Sequence, residues 1–473
     1  MTHNPENYRQ GARRAISNPT LQASIANLQE RLGKGTAEAY QRLKEGPALR
    51  LKAHEMRMSA IDNLDGLLRQ LAGKVRENGG SVYFAKDAAA AVNYCLEVAE
   101  KNGVRRVVKG KSMITEEINL NPALESAGIE TVETDLGEYL VQMAGEPPSH
   151  MIAPAIHKIR RDIGRLFTEK LGVTYTENPS ELTRIARRAL RDKFISADMG
   201  ITGCNLACAE TGHAVLVSNE GNIRMTTTLP RVHVAIMGME RIVANLFDLD
   251  IMIRLLCRGA AAQKISTYVS HIGGPRAPGQ LDGPDAFHLV VLDNGRTKIL
   301  GDTTFREILG CIRCAGCLNV CPVYRKIGGH AYGAAYVGPV GAVVTPLLTG
   351  INNGRHLCRG ETLCGACKAA CPVDLDIPRM LVALREKLAY GDEHWQVKPD
   401  GMAERAAMGI WSFLVTHPPL YDAAFRTCAH IQRLLPMEGN MIRRLPPPFN
   451  TWTRKRDMMP LADISFTRKI RNP

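Results

Sequence analysis

The sequence predicts an α/β domain in the middle of the chain and a small, cysteine-rich helical domain after it, with helical or extended segments at both ends. Two observations carry this prediction. Short apolar runs alternate with charged, helix-like stretches between residues 66 and 300, and eight of the thirteen cysteines fall in two short stretches beyond residue 310. The chain of 473 residues is long enough for several units that each bury a core.

The N-terminal part is rich in Arg, Lys, Glu, Gln, Leu and Ala, most of which favour helix. Asn18 and Pro19 form a typical helix start, because asparagine caps free amide groups and proline fits the first turn. Residues 1–65 are therefore predicted to be a helical region. Its apolar residues recur at helical spacing, at Leu21, Ile25, Leu28 and Leu32.

Residues 66–300 contain the apolar runs that predict the sheet, and their alternation with helical stretches is typical of largely parallel strands. The stretch AVLVSNEGN indicates a strand, a turn and a second strand, so part of the sheet is expected to be antiparallel. GGPRAPGQLDGPD at 273–285 has too many glycines and prolines for a regular element. The predicted strands lie within VRRVVKG (104–110), KFISADMGITG (193–203), HAVLVSN (213–219), VHVAIMG (232–238) and FHLVVLDN (287–294).

Residues 301–390 are dominated by two cysteine runs, CIRCAGCLNVCP at 311–322 and CRGETLCGACKAACP at 358–372. The first is a complete Cys-x2-Cys-x2-Cys-x3-Cys-Pro pattern. The second has Glu361 where the matching first cysteine would stand, and Cys358 precedes it by one helical turn. Zinc also binds paired Cys-x2-Cys motifs, but the closely spaced thiols of each run and the Cys-Pro ending favour iron–sulfur clusters.

In two-cluster ferredoxins the cysteine before the proline binds the cluster of the other run. The same crossing here predicts two 4Fe–4S clusters that form a short relay for single electrons. Cys358 is expected to be the last ligand of the second cluster, since a helical turn or a bend at Gly360 brings it close. The alternatives are that another group binds the fourth iron or that this ligand is lost. The first cluster receives Cys311, Cys314, Cys317 and Cys371, and the second receives Cys321, Cys364 and Cys367.

The last part of the chain, residues 391–473, combines the apolar stretch WSFLVTHPPLY with a proline-rich, basic end and is predicted to be helical and partly extended. Residues 331–350 are uncharged and long enough to suggest a membrane span. Pro339, Pro346 and several glycines favour a packed connector instead, as does the position between the cysteine runs. The polar N-terminus lacks the apolar segment of a secretion signal, so a cytoplasmic location is expected.

The net charge of +13 raises the question of a polyanionic partner. The basic residues are spread along the chain and aromatic residues make up 5% of it, so no stacking platform for nucleic acid is visible. The preferred interpretation is a solvated basic surface, or a surface that binds an acidic partner protein.

Residues 196–230 are rich in Gly, Ser, Thr and Asn and suit a loop that binds phosphate or carboxylate. Tight turns in the sheet explain the same composition equally well. If the chain itself binds a substrate, four side chains are candidates for acid–base or carboxylate-binding groups, although each is also typical of a strand end or a surface position. They are Glu210, His213, Glu220 and Arg224.

Together with three other stretches, residues 196–230 resemble the lactate-utilisation iron–sulfur protein B family, and the resemblance covers nearly the whole chain. It implies an LUD domain at 66–300, similar to the sugar-isomerase and CoA-transferase type of α/β fold. It also implies a ferredoxin-like domain with two 4Fe–4S clusters at 301–390 and the family's C-terminal extension at 391–473. The three stretches are KSMITEEINLN (111–121), PPSHMIAPAIHK (147–158) and GPVGAVVTPLL (338–348).

The resemblance implies that seven of the predicted cluster cysteines match the family's ligands, and it does not extend to Cys358. It implies a role in carrying electrons during oxidation of L-lactate to pyruvate, together with a cysteine-rich CCG-domain subunit and a smaller LUD-domain subunit. It assigns no catalytic residue. The alternatives are an oxidoreductase subunit for another 2-hydroxy acid, and a non-redox binding or regulatory protein that contains iron–sulfur clusters.

Overall fold

A computed structural model describes residues 6–447, 449–454, 456–462, 464 and 469–470. The chain divides into two compact units, Met1–Leu388 with Glu393–Val397 and Ala389–Asp392 with Lys398–Pro473. The first unit contains both the α/β region and the cysteine runs. They share a core, to which Leu206, Leu255 and Leu318 belong, so the two regions pack together as one unit.

Four helices form the N-terminal region, as the sequence predicts. The Asn18 side chain accepts a hydrogen bond from the Leu21 amide at 3.1 Å and so caps the second helix. On the buried face of that helix, Gln29 Nε2 donates to the carbonyl oxygens of Leu318 and Cys321 at 2.7 and 3.0 Å. The N-terminal region therefore braces the first cysteine run. Its helices are α1 (Glu6–Ile16), α2 (Pro19–Gln41), α3 (Gly46–Asp62) and α4 (Leu64–Glu77).

Ten strands of the first unit form two sheets. All seven residues of the strand at 232–238 are buried, which is why this stretch is a continuous apolar run in the sequence. The strands are β1 (Ser81–Ala85), β2 (Arg106–Lys109), β3 (Glu130–Glu133), β4 (Met199–Thr202), β5 (Leu206–Cys208), β6 (His213–Ser218), β7 (Val232–Gly238), β8 (Ile242–Val243), β9 (Tyr268–Ile272) and β10 (Ala286–Leu292).

The larger sheet has the order β1-β10-β7-β4-β2-β3, and all of its pairings are parallel. This confirms the predicted α/β architecture. The strand order changes direction at β2, which has β3 on one side and β4 on the other. The accompanying helices are α5 (Ala88–Lys101), α6 (Met113–Glu117), α7 (Leu120–Ser126), α8 (Leu136–Met143), α9 (Arg160–Leu171), α10 (Pro179–Ile195), α11 (Asn222–Thr228), α12 (Leu246–Ala261) and α13 (Arg296–Leu300).

The smaller sheet has the order β8-β5-β6-β9, and β6 is antiparallel to both of its neighbours. Antiparallel pairing is thus present where it was expected, but in a separate sheet. The expected strand after β6 is absent, because the chain forms a turn and helix α11 there. The Glu220 amide donates to Ser218 Oγ at 3.0 Å and so closes the turn.

The cysteine runs lie among short helices that follow α13. Single 3-10 turns at Arg306–Gly310, Leu318–Val320 and His330–Tyr332 connect them. Such short pieces leave many backbone amides outside regular ladders and available to other acceptors. The helices of this region are α14 (Pro322–Ile327), α15 (Gly338–Thr349), α16 (Arg355–Gly360), α17 (Ala366–Ala369) and α18 (Ile377–Tyr390).

Most of the apolar stretch 331–350 forms helix α15, which contains Pro346 and is almost entirely buried in the first unit. Val343 and Leu347 belong to the core that the cysteine runs share. Across the part of the chain that the structure describes, no helix is long and apolar enough to cross a membrane. The predicted packed connector is therefore present.

The second unit contains helices α19 (Met402–Thr416) and α20 (Pro418–Ile431) and a hairpin of β11 (Met437–Glu438) and β12 (Met441–Ile442). Helix α19 has no buried residue, although Trp411 and Phe413 are apolar. The predicted mixture of helical and extended structure is confirmed for the described residues of this region.

Candidate iron–sulfur sites and the adjacent cavity

The first cysteine run folds into a loop whose amides point at its own sulfur atoms. Arg313 and Ala315 have positive φ angles of 57° and 60°, which turn the backbone back on itself. The amide of Arg313 donates to Cys311 Sγ and that of Gly316 to Cys314 Sγ, both at 3.4 Å. Amide donors of this kind stabilise the negative charge of thiolates bound to iron–sulfur clusters.

The first site brings together Cys311, Cys314, Cys317 and Cys371, the four cysteines that the crossed pattern predicts for one cluster. Burial raises the pKa of Cys317, and the nearby Cys311 and Cys314 raise it further. Burial also raises the pKa of Cys371, and the next largest cause is Cys314. Both cysteine runs therefore contribute thiols to this site, and a cationic group bound there would relieve the mutual repulsion of their thiolates.

The first site lies against the α/β region. A Cβ atom built at Gly259 in α12 would lie 2.9 Å from Cys314 Sγ, so this close approach requires glycine. Arg241, which follows β7, donates to the carbonyl oxygens of Cys311 and Ile312 at 2.6 and 3.1 Å. The loop is thus held from the α/β side by both a helix and a buried guanidinium.

The second site is a small cavity lined by Cys321, Cys364, Cys367 and Glu361. Cys321 Sγ lies 3.5 Å from one oxygen of Glu361, and the Tyr332 hydroxyl donates to the other at 3.0 Å. Burial raises the pKa of Glu361. The carboxylate thus occupies a place beside the three cysteines that the sequence predicts for the second cluster.

Cys364 is the exposed member of the second site, whereas Cys321 and Cys367 are buried. Two hydrogen bonds lower the pKa of the Cys364 thiol: the larger effect comes from the Ala366 amide and the smaller from the Thr362 side chain. This thiol is therefore the one best prepared to bind a metal as a thiolate, and it is also the one nearest to solvent.

Cys358, expected from the sequence as the remaining ligand, does not line this cavity. Helix α16 holds its side chain in the core, where Sγ lies 4.0 Å from the Ala342 carbonyl oxygen. The backbone becomes extended at Glu361, directly after the helix, and it is the Glu361 side chain that reaches Cys321. Sequence reasoning treated Glu361 as a missing cysteine; its position in the cysteine pattern was the signal for its placement.

The thiols and their amide donors are of the kind that binds iron–sulfur clusters. Within the described residues, no group of three or more His, Cys, Asp and Glu side chains has the geometry to hold a metal ion. The fit rests on the donor set instead: four soft thiols at the first site, and three thiols with one carboxylate at the second.

A larger cavity of about 360 Å³ lies next to the first site. It is lined by residues at or just beyond the carboxyl ends of β2, β4 and β7, and by one side of α12. Arg313, from the first cysteine run, also reaches it and stacks over the Tyr336 ring at 4.5 Å from the centroid. This cavity connects the carboxyl edge of the sheet with the first cysteine site.

One of the four candidate substrate-binding residues, Glu220, lines this cavity. Glu210 instead caps α12 by accepting the Leu246 amide at 2.9 Å. His213 packs against the edge of His271, and Arg224 is exposed beside Tyr268. The structure therefore does not bring the four candidates together.

Lys111 and Arg313 are cavity residues that sequence reasoning missed as binding groups. Lys111 opens the stretch KSMITEEINLN, and Arg313 lies between two cysteines of the first run. Neither position carries a local signal for ligand binding. They become neighbours of one cavity because the sheet edge and the cysteine loop pack together.

Two family models match the regions described above. Residues 68–292 match the family model of the LUD domain, and residues 307–375 match that of the 4Fe-4S dicluster domain. The dicluster domain carries two 4Fe–4S clusters. A crystal structure of a DUF162 family protein from Deinococcus radiodurans covers 48% of this chain and 98% of its own, at 12% identity and a TM-score of 0.28.

Curated relatives are similar over most of the chain. Lactate utilization protein B of Bacillus licheniformis is 43% identical over 446 residues, which cover 93% of this chain and 91% of the relative. Lactate utilization protein B of Shouchella clausii is 44% identical over 94% of this chain and 92% of its own. An Escherichia coli protein named uncharacterized electron transport protein YkgF is 43% identical over 88% of this chain and 86% of its own. The chain therefore belongs to the lactate utilization protein B family, with an LUD domain followed by a 4Fe–4S dicluster domain.

Proposed function

We propose that this chain is the iron–sulfur electron-transfer subunit of a system that oxidises L-lactate to pyruvate. The observation that supports the proposal is that side chains of the two cysteine runs interleave: Cys371 of the second run lies near Cys314 of the first, and Cys321 of the first run lies 3.5 Å from Glu361 of the second. Crossed runs keep two clusters close together, and each cluster supplies one-electron transfer when bound. The names of the relatives support lactate as the source of the electrons.

The proposed ligands of the first cluster are four cysteines, and those of the second are three cysteines and one carboxylate. Glu361 is proposed as the last ligand in place of Cys358, because its carboxylate lies beside Cys321 while the Cys358 sulfur points elsewhere. Tyr332 orients the carboxylate through its second oxygen. The cysteines are Cys311, Cys314, Cys317 and Cys371 for the first cluster, and Cys321, Cys364 and Cys367 for the second.

The proposed partners are a cysteine-rich CCG-domain subunit and a smaller LUD-domain subunit, which the family resemblance implies. The free thiols at both sites require a reducing compartment, which supports the cytoplasm as the location. In this arrangement the chain passes electrons on, and dehydrogenation of lactate needs the complete assembly.

The test is lactate-dependent reduction of the clusters, followed by low-temperature electron paramagnetic resonance under anaerobic conditions. We expect no reduced signal when the purified chain alone receives L-lactate, and a reduced signal after both partners are added. Dithionite serves as the control that the clusters are reducible. An assembly that dithionite reduces and L-lactate does not would contradict the proposal, and parallel samples with D-lactate and glycolate test the choice of substrate.

A further inference from the structure

The 360 Å³ cavity lies where α/β proteins place their ligands. Lys111 follows β2, Gly203 follows β4, and Gly238 is the last residue of β7, so the cavity opens at the carboxyl ends of three neighbouring strands. The order of the sheet changes direction between β2 and β4, and ligands in open α/β sheets bind at such a point. Its volume falls within the roughly 300–1,000 Å³ of small-molecule sites.

Two buried cationic nitrogens in the cavity wall lack a hydrogen-bond acceptor. They are Lys111 Nζ and Arg313 Nη1, and no other buried side-chain nitrogen or oxygen among the described lining residues is without one. Each side chain has a carboxyl group nearby but beyond hydrogen-bond distance: Glu138 lies 3.9 Å from Lys111, and Glu240 lies 3.6 Å from Arg313. Unsatisfied buried donors of this kind call for an acceptor that enters the cavity.

The other cations of the cavity wall are already occupied. Arg296 holds Glu117 and Glu240, each at 2.7 Å, and Arg241 donates to backbone carbonyl oxygens of the cysteine loop. A Cβ atom at Gly238 would lie 2.1 Å from Glu240, so the strand end leaves room for this pair. Lys111 and Arg313 are therefore the cavity cations that are available to bind an anion.

We infer that this cavity binds a small organic carboxylate, held by Lys111 and Arg313, and that the ligand is a short 2-hydroxy or 2-oxo acid. The anionic group follows from the two unsatisfied cations, and the apolar remainder from lining residues such as Met113, Met151 and Leu256. The choice of a 2-hydroxy or 2-oxo acid rests on the proposed function.

The binding site lies beside the first cysteine site. Leu256 and Ala260 of α12 line the cavity, while Gly259 of the same helix contacts Cys314. Arg313 has its backbone amide on Cys311 Sγ and its side chain in the cavity. A carboxylate on Arg313 is thus one residue away from a proposed cluster ligand, so binding changes the electrostatic surroundings of the first site.

The test is isothermal titration calorimetry of the anaerobically reconstituted full chain with pyruvate, which carries the same carboxylate as lactate and is not oxidised during the titration. We expect saturable binding of pyruvate and L-lactate, and none of the neutral amide lactamide. Lys111→Met should weaken pyruvate binding by at least about tenfold, because it removes a buried charge partner. The matched control, Lys264→Met, removes an exposed lysine that does not line the cavity and should bind as wild type.

A second variant, Ala260→Leu, fills the cavity without removing a charge and should also abolish pyruvate binding. Iron content and circular dichroism report whether each variant is folded. Absence of pyruvate binding to the wild type, or equal binding by wild type and both cavity variants, would overturn the inference and leave a cavity that holds only water. Failure of the proposed function is distinguishable, because it concerns cluster reduction by the assembly. An assembly can pass electrons while this cavity binds nothing, and the cavity can bind pyruvate while lactate reduces no cluster.

Discussion

The two cysteine sites are built from the same kind of motif and differ in ligands, cover and surroundings. The first has four cysteines, a helix packed over Cys314 at Gly259, and the 360 Å³ cavity beside it. The second has three cysteines and Glu361, and one of its thiols, Cys364, is exposed. The second site therefore exposes a thiol that another molecule can approach, whereas the first is covered at Cys314 by α12.

Removal of one proposed ligand from each site should have the largest effect. Cys317→Ser and Cys367→Ser should each lose about four of about eight irons, because each removes a ligand from one cubane only. Both variants should also lower the midpoint of thermal unfolding, since both thiols lie in the core that joins the two regions of the first unit. Iron and sulfide analysis and thermal unfolding of the anaerobic proteins measure both quantities.

The control for these two variants is Cys95→Ser. It replaces a buried cysteine of α5 in another core cluster and should retain all the iron. Loss of all iron from either ligand variant would show that the sites are not independent and would remove the basis for comparing them.

The tight cover of the first site should appear in a pair of glycine substitutions. Gly259→Ala should lower the free energy of unfolding by roughly 1–2 kcal/mol and reduce the iron content, because the new methyl group meets Cys314 Sγ. Gly73→Ala lies in helix α4 with nothing within 4 Å of the new Cβ and should raise stability by about 0.5–1 kcal/mol. Urea unfolding gives both values, and a stabilising Gly259→Ala would contradict the close approach of α12.

Substitutions at Glu361 and Cys358 should show which of the two residues is the fourth ligand of the second cluster. Glu361→Gln removes the anionic ligand and should alter the paramagnetic resonance signal of one cluster, whereas Cys358→Ser should leave iron content and both signals unchanged. Glu361→Cys restores the complete cysteine pattern and should keep all the iron. A Cys358→Ser protein that lost about four irons would instead identify Cys358 as the ligand that the sequence predicted.

The fold and most of the proposed ligands were predictable because their signals are local. Apolar runs such as 232–238 mark buried parallel strands, and the spacing of Cys311, Cys314 and Cys317 needs no knowledge of distant residues. The placement of Glu361 is harder to predict from the sequence, because the motif predicts a thiol as ligand and Cys358 lies one turn away. Whether a side chain leaves α16 toward the core or toward the site depends on where that helix ends.

The larger cavity was not predictable, because its parts are distant in the chain. Lys111 follows an early strand and Arg313 lies in the cysteine run, and their pairing depends on the packing of two regions. Glu210 and Arg224 were plausible from the composition of their segment. The structure uses the first as a helix cap and leaves the second exposed beside Tyr268.

The pH dependence of pyruvate binding should be the smallest of these effects and should be confined to the cavity beside the first site. Burial lowers the pKa of Lys111, and burial raises the pKa of Glu138, which lies 3.9 Å away. As pH rises above neutrality, Glu138, whose pKa burial raises to about 8, gains a negative charge beside Lys111, and this charge disfavours an anion; the lowered pKa of Lys111 acts in the same direction. We expect the affinity for pyruvate to fall by roughly threefold to tenfold between pH 7 and pH 9.

Lys111→Met should bind pyruvate weakly and with little change over the same range, and Glu138→Gln should reduce the slope while it keeps the affinity at neutral pH. Calorimetric titrations at several pH values measure both effects. Asp135, Glu220 and Glu133 also act on Lys111, so the residual slope in Glu138→Gln reports on Lys111 together with these carboxyl groups. An affinity that rose with pH would mean that the carboxylate binds elsewhere, and the cavity would no longer distinguish the first cysteine site from the second.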